Sequence, residues 1–278
     1  MAELYVNVGG TWKTASNYYV NVNGTWKEGS ELHAKVSSAW KQSAAVAASL
    51  TSSNLVQHLD ANNSSSYQSG GGEAWTDLSS SGNDGNIRNS PTFEDSGTPK
   101  YFDLDGTDDH VINDNNNTFD FGTGDFTIAI WARLDSISWQ QPIFSTADDS
   151  GFSTADYLQL AGNSTNKFRL FVRNSTGDGW ALRATTDGDY SADAWYYFLV
   201  TRDGNDYKLY INDSEVASDS LTGSLVDHDE KYFRLATNAG QTQFLDGRLS
   251  ECHIYLGLAL SSAQRTANWN ATKSTYGY

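Results

Sequence analysis

The densest chemistry-bearing run in the sequence is a set of carboxylates and amides. Asp103, Asp105, Asp108, Asp109, Asn113 and Asp114 crowd one short stretch. Hard oxygen donors gathered in this way are what a calcium ion needs, so Asp105, Asp108, Asp109 and Asp114 are the candidate ligands. The spacing is not that of an EF-hand, which closes on a bidentate Glu. Asp and Asn also populate turns for local reasons, because their side chains bond nearby backbone. A second set is aromatic: Trp139 precedes Gln140 and Gln141, and Trp180 follows Gly177-Asp178-Gly179. An indole at a loop or strand end beside amides and carboxylates offers a sugar ring both an apolar face and hydrogen bonds. Trp139 and Trp180 are therefore the candidate glycan-binding residues, whereas Trp131 and Trp195 lie inside regular strands and read as core.

Patterns that would carry catalysis are missing. The histidines (His33, His58, His110, His228 and His253) show no metal-ligand spacing and have no cysteine partner. No glycine-rich phosphate loop and no serine nucleophile elbow occur. Glu251 and His253 share one strand face and read as a solvated pair. Cys252, the single cysteine, reads as a buried small hydrophobe. The expectation is a binding or structural protein, not an enzyme, that requires no cofactor, with calcium as its one candidate ion.

The elements that must position these residues are strands. Phe126 to Leu134 alternates cleanly, placing Phe126, Ile128, Ile130, Ala132 and Leu134 on one face. Lys167 to Arg173 does the same with Phe168, Leu170 and Val172. Trp195 to Val200 is apolar on both faces, as a strand covered on both sides must be. Tyr207–Ile211 turns through Asn212-Asp213 into a hairpin, and Leu249–Tyr255 is a last core strand. One helix is predicted, starting at Ser261 with Gln264 as its capping-box partner.

The N-terminus is built differently. Tyr5-Val6-Asn7-Val8-Gly9-Gly10-Thr11-Trp12-Lys13 recurs fourteen residues later at Tyr19 to Lys27, and a worn third copy runs from His33 to Lys41. Each copy reads as a hairpin: a short alternating strand, an Asn-Gly type turn, then Thr-Trp-Lys opening the return strand. Three copies make a meander of short strands with little core of their own, and such ribbons are marginal alone. Trp12, Lys13, Trp26, Lys27, Trp40 and Lys41 are thus the candidate docking or oligomerisation residues. The domain reading is 1–45 repeats, 46–53 linker and 54–278 sandwich.

Charge separates the two parts. The chain carries −16 overall. Lys13, Lys27, Lys35 and Lys41 outweigh Glu3, Glu28 and Glu31 to leave the first 45 residues at +1 and the remainder at −17. An acidic body argues against nucleic acid as a partner. No run is long and apolar enough for membrane insertion, and the segment after Met1 lacks the basic region and apolar core of a secretion signal.

Several segments, in order, resemble one family. Leu55-Val56-Gln57-His58-Leu59-Asp60-Ala61, Trp75-Thr76-Asp77-Leu78-Ser79, Gly82-Asn83-Asp84-Gly85, Phe102 to Asp109, Phe126 to Trp131 and Gly247 to Tyr255 are similar to the laminin-G-like, concanavalin-A-like lectin/glucanase sandwich. The resemblance covers roughly residues 54–270. It implies an all-β fold, a two-sheet antiparallel jelly roll behind the hairpin repeats, often used to bind glycans or proteins and often carrying calcium. Glucanases of this fold carry a Glu-x-Asp-x-(x)-Glu strand that supplies nucleophile and acid/base, and no such string occurs here. The Trp-Lys repeats are similar to segments in structural proteins of tailed bacteriophages. That resemblance implies a virion part made in the host cytoplasm, either a capsid decoration, a head fibre or a tail fibre. Its implied partners are other virion proteins, further copies of itself in a homo-oligomer such as a trimer, and a host-surface glycan. The alternatives are a free bacterial carbohydrate-binding module and, third, a glycoside hydrolase.

Overall fold

A computed structural model describes residues 49–113, 119, 121–137, 141–147, 157–163, 166–173, 180–184, 190–223 and 232–278, and the backbone of six strands before them. Those six are β1 Leu4–Val8, β2 Thr11–Ala15, β3 Tyr19–Val22, β4 Thr25–Glu28, β5 Glu31–Val36 and β6 Ala39–Ala45. They pair as β1–β2, β3–β4 and β5–β6, each a separate two-stranded antiparallel sheet. Among the described strands the ladders lie within the copies, so the meander is a string of three hairpins. The register repeats with the sequence: Trp12 faces Asn7, Trp26 faces Asn21 and Trp40 faces Lys35. The chain divides at Leu50/Thr51 into this unit and a larger one.

The larger unit is a sandwich of two antiparallel eight-stranded sheets. The first contains β7 Leu55–Asp60, β10 Thr92–Glu94, β11 Tyr101–Asp105, β13 Phe126–Leu134, β18 Trp195–Asp203, β19 Asp206–Ile211, β20 Ser214–Ser220 and β22 Asp246–Leu256. The second contains β8 Ala74–Trp75, β9 Gly85–Arg88, β12 His110–Asn113, β14 Pro142–Ala147, β15 Tyr157–Asn163, β16 Lys167–Arg173, β17 Trp180–Ala184 and β21 Tyr232–Leu235. The alternation read from the sequence is the one the fold uses. Phe126, Ile128, Ile130, Ala132 and Leu134 meet Phe168, Leu170 and Val172 in the core between the sheets. Trp131 and Cys252 are fully buried, and Cys252 is a free thiol.

Strand β22 organises the first sheet. One side runs along β13, while the other pairs β11 with its first half and β7 with its second. Gly247 is dictated here by close approach, because a Cβ on it would lie 2.3 Å from the carbonyl oxygen of Arg133. The outer face of this sheet is also covered. Ser261 caps the helix α1 Ser262–Thr272 in a capping box with Gln264, and a 3-10 turn, Lys273–Tyr276, follows. Trp269 and Tyr276 pack there on Ala129, Trp131, Tyr197, Leu199 and Tyr255, which is why Trp195–Val200 must be apolar on both sides. The Asn212-Asp213 turn has φ of 52° and 64°, the left-handed pair that a two-residue hairpin demands.

Candidate functional site

Alternation along β9, β12 and β21 sends Ile87, Val111, Phe233 and Leu235 into the core. It therefore turns Arg88, His110, Ile112, Tyr232 and Arg234 to the outer face of the second sheet. The ladder places His110 opposite Arg88 and Ile112 opposite Arg234. With Asn89 and Gln241 these residues line a depression of about 470 Å³. The Arg234 guanidinium lies 4.6 Å from the Tyr232 ring centroid and donates to the Ala239 carbonyl at 3.0 Å. Arg88 pairs with the exposed Glu73 at 3.3 Å. Burial pushes the His110 imidazole down, and the neighbouring Arg234 and Arg88 charges push it further. His110 is thus neutral near pH 7, and its Nδ1 lies 2.8 Å from the Asp108 carbonyl oxygen. Since a carbonyl only accepts, Nδ1–H is the donor and Nε2 is left as an acceptor.

This face has an unusual charge. The described outer-face positions of the second sheet include Arg88, Lys167, Arg169, Arg173 and Arg234, and its strands hold not one Asp or Glu. Every strand of the first sheet except β13 carries at least one carboxylate. On β16, Arg169, Phe171 and Arg173 alternate with the buried Phe168, Leu170 and Val172 and extend the outer face beyond the depression.

The carboxylates expected to hold calcium lie next door. Asp105, Asp108 and Asp109 each offer an oxygen within 4.8 Å of the others, while Asp114 lies outside the described residues. Gly106, at φ +70°, turns the chain so that the Asp109 carboxylate accepts from the Asp105 amide at 3.2 Å. Asp105 in turn accepts from the Thr107 amide and faces Asp246 across the β11–β22 ladder. Burial pushes the Asp109 carboxyl up, and so do the nearby Asp105 and Asp108 charges. Asp246 is raised by burial, then by Asp135, Asp103 and Asp105. An all-carboxylate set that strains against its own charge has the donor chemistry of a calcium site. The two features join at Asp108. Its carboxylate belongs to the cluster, and its carbonyl accepts from Asn89 at 2.7 Å and His110 at 2.8 Å, both lining the depression.

Of the two tryptophans expected to meet a sugar, Trp139 lies outside the described residues. Trp180 is the first residue of β17 and takes its place in register opposite Arg173, with only its backbone described. The sequence did not single out Arg88, His110, Tyr232 or Arg234. Their signal was there as the absence of acidic residues, but it appears only once the strands are sorted into sheets.

One expectation is corrected. Glu251 and His253 are not a solvated pair: Glu251 is 4% exposed, His253 is 1% exposed, and they hydrogen-bond at 2.9 Å. The C-terminal turn lies over them, with the Tyr276 hydroxyl 3.2 Å from the Glu251 carboxylate. His58, opposite His253 in the ladder, completes a cluster that spacing along the chain did not show.

Comparison with solved structures places the fold. Domain 4 of AbnA, an extracellular arabinanase from Geobacillus stearothermophilus solved with arabinotriose, superposes with a TM-score of 0.60 at 16% identity, covering 79% of this chain and 100% of that one. The binding domain of Paraclostridial Mosquitocidal Protein 1 gives 0.57 at 19% identity over 77% of this chain, which spans 52% of the toxin fragment. The receptor binding domain of botulinum neurotoxin D gives 0.55 at 13% identity, covering 79% of this chain and 53% of that one. No curated protein matches by sequence. The sequence profile that matches, over residues 105–264, spans more than half of the chain and includes the acidic cluster, His110, Arg234 and all of β22. The chain belongs to the Concanavalin A-like lectin/glucanases superfamily.

Proposed function

We propose that the sandwich is a non-catalytic binding module for acidic glycans, which it grips on the outer face of the second sheet. The observation that carries this is the acid-free strand set of that sheet within a chain of net charge −16. Guanidinium groups bind uronate or sulfate groups through paired hydrogen bonds, and Tyr232 and Phe171 offer apolar faces to sugar rings. The neighbouring Asp105, Asp108 and Asp109 would hold a calcium ion that fixes the Asp108 loop, and with it Asn89 and His110. Trp139 and Trp180 remain candidate glycan-binding residues. The test is retention on polyuronate and sulfated-polysaccharide surfaces. Salt-sensitive retention that Arg88→Glu weakens supports the reading. Binding of neutral arabinan alone, or of duplex DNA in preference to polyuronate, rejects it.

The hairpin unit has a different part in this proposal. It docks the module on a larger assembly, a phage particle, as a head decoration, head fibre or tail fibre, through other virion proteins and further copies of this chain. Three two-stranded ribbons with a Trp at the same register position in each support this, because ribbons of that size need a partner surface. A free carbohydrate-binding module is the second reading, favoured by the full-length superposition on the arabinanase domain. Incorporation of the chain into particles, lost when residues 1–45 are deleted, separates the two.

A further inference from the structure

The β7–β22 ladder sets four chemistry-bearing side chains at the corners of a rectangle. His58 lies opposite His253 and Asp60 opposite Glu251. Within each strand the two are separated by one residue, and the intervening Leu59 and Cys252 point into the core. All four therefore stand on the outer face, beneath the C-terminal turn. The Glu251 carboxylate oxygen lies 2.9 Å from His253 Nε2 and 3.7 Å from His58 Nε2. One ligating atom from each of the three falls within 4.8 Å of the others. These spacings bracket the separation of about 3.3 Å that tetrahedral bonds of about 2.0–2.1 Å impose on neighbouring ligand atoms.

Two further observations point to a cation. The His58 Nε2 atom is buried and makes no hydrogen bond. Asp60 and Glu251 face each other across the ladder, so two carboxylates meet at this corner. Among the described residues no Lys or Arg forms an ion pair with either. We propose that His58, Glu251 and His253 bind a divalent transition-metal ion of the zinc class, with Asp60 as the facing carboxylate. Two imidazoles and a carboxylate are borderline donors that suit such an ion, in contrast to the all-oxygen Asp105 cluster. Neutral His253 carries one ring proton, so binding at Nε2 leaves that proton on Nδ1, and the metal takes the place of the hydrogen that faced Glu251. The ion would be tied to the C-terminal turn through Tyr276, which donates to the second Glu251 oxygen at 3.2 Å.

The experiment uses the full chain, stripped with a chelator and titrated with cobalt(II). The expected results are intense visible bands of a four-coordinate site, their loss on adding zinc, and a rise in Tm with either ion. His58→Gln abolishes all three while keeping the metal-free Tm, because His58 is the most accessible of the ligands. His110→Gln and Asp108→Asn change none of them. Because His253→Gln could disturb the buried cluster, the stoichiometry is measured calorimetrically on the unmodified protein, with one ion per chain expected. Absence of bands and of any Tm rise, or bands that survive His58→Gln, overturns the proposal.

Discussion

The indole of Trp131 and the phenol ring of Tyr276 lie parallel, with centroids 3.9 Å apart and planes 11° from one another. Trp131 also donates its ring N–H to Thr272 at 2.9 Å, and Trp269 stacks beside it at 5.4 Å. The C-terminal turn thus closes the outer face of the first sheet. Tyr276→Ala removes that ring and uncovers Glu251 as well, so we expect a loss of about 3 kcal/mol, as for other large aromatic truncations in cores. Urea unfolding followed by near-ultraviolet circular dichroism measures it. A loss below about 1 kcal/mol would show the turn to be an ornament on the sheet.

Acid should unfold the sandwich through its buried pair. Burial alone would raise the Glu251 carboxyl, but the His253 and His58 imidazoles beside it reverse that and hold it down at about 2. Burial also pushes the His253 imidazole down, so its neutral form is the folded one. Both folded values lie below the unfolded ones. Each contribution is therefore complete above the unfolded pKa and is lost as pH falls. His253 acts first, below about pH 6.5, and Glu251 between about pH 4.5 and 2. Asp60, raised by burial and by Glu251, works in the opposite sense and costs stability as pH rises through its folded value. Glu251→Gln should remove about 3 kcal/mol at pH 7 and flatten the acid limb below pH 4.5. Urea midpoints across that range test both.

Calcium should stabilise the loop that shapes the depression. Adding millimolar calcium to chelator-treated protein is expected to raise Tm, and Asp109→Asn, at the buried end of the cluster, should erase the rise. An equal rise with magnesium would point to charge screening, because that smaller ion demands a near-ideal octahedron.

Charge reversal on the second sheet gives the most direct reading of ligand class. Arg169→Glu and Arg88→Glu should each weaken retention on an acidic polysaccharide about tenfold, and the wild-type affinity should fall as salt rises. Surface plasmon resonance at two salt concentrations distinguishes this from a neutral-sugar site, whose affinity stays level.

Gly247→Ala should destabilise the sandwich by at least about 2 kcal/mol, because the added methyl carbon meets the Arg133 carbonyl at 2.3 Å, a backbone contact no rotamer can relieve. Gly204→Ala, where a Cβ meets nothing within 4 Å, is the comparison that isolates the clash from the turn conformation. Thermal melts of the two variants side by side decide it.

Much of this fold could be read from the residues. Period-two alternation gave the inward faces of β13 and β16, the doubly apolar β18 gave a strand covered on both sides, and Ser261 with Gln264 gave the helix start. Asp105, Asp108 and Asp109 were legible because their donors are close in sequence. The histidine–carboxylate cluster was not, because His58 and His253 lie far apart in the chain and meet only through one ladder register. The basic face was hidden for a similar reason: its arginines come from strands that the jelly-roll order brings together. The solvated reading of Glu251 and His253 failed because alternation tells which residues share a face, and not whether a later helix will lie over it.

The placement of β22 has a consequence for how the protein is made. The last of the strands described stands between β13 on one side and β7 and β11 on the other, so the first sheet has no middle until residues 246–256 have left the ribosome. A nascent chain lacking them holds β7 and β11 without their neighbour, and their exposed edges wait for a partner that begins 186 residues after the end of β7 and 141 after the end of β11. The N-terminal hairpins, closed by contacts only a few residues apart, can form while this wait goes on. The hairpin unit and the sandwich would therefore mature in that order, and a message cut short before β22 would yield the first without the second.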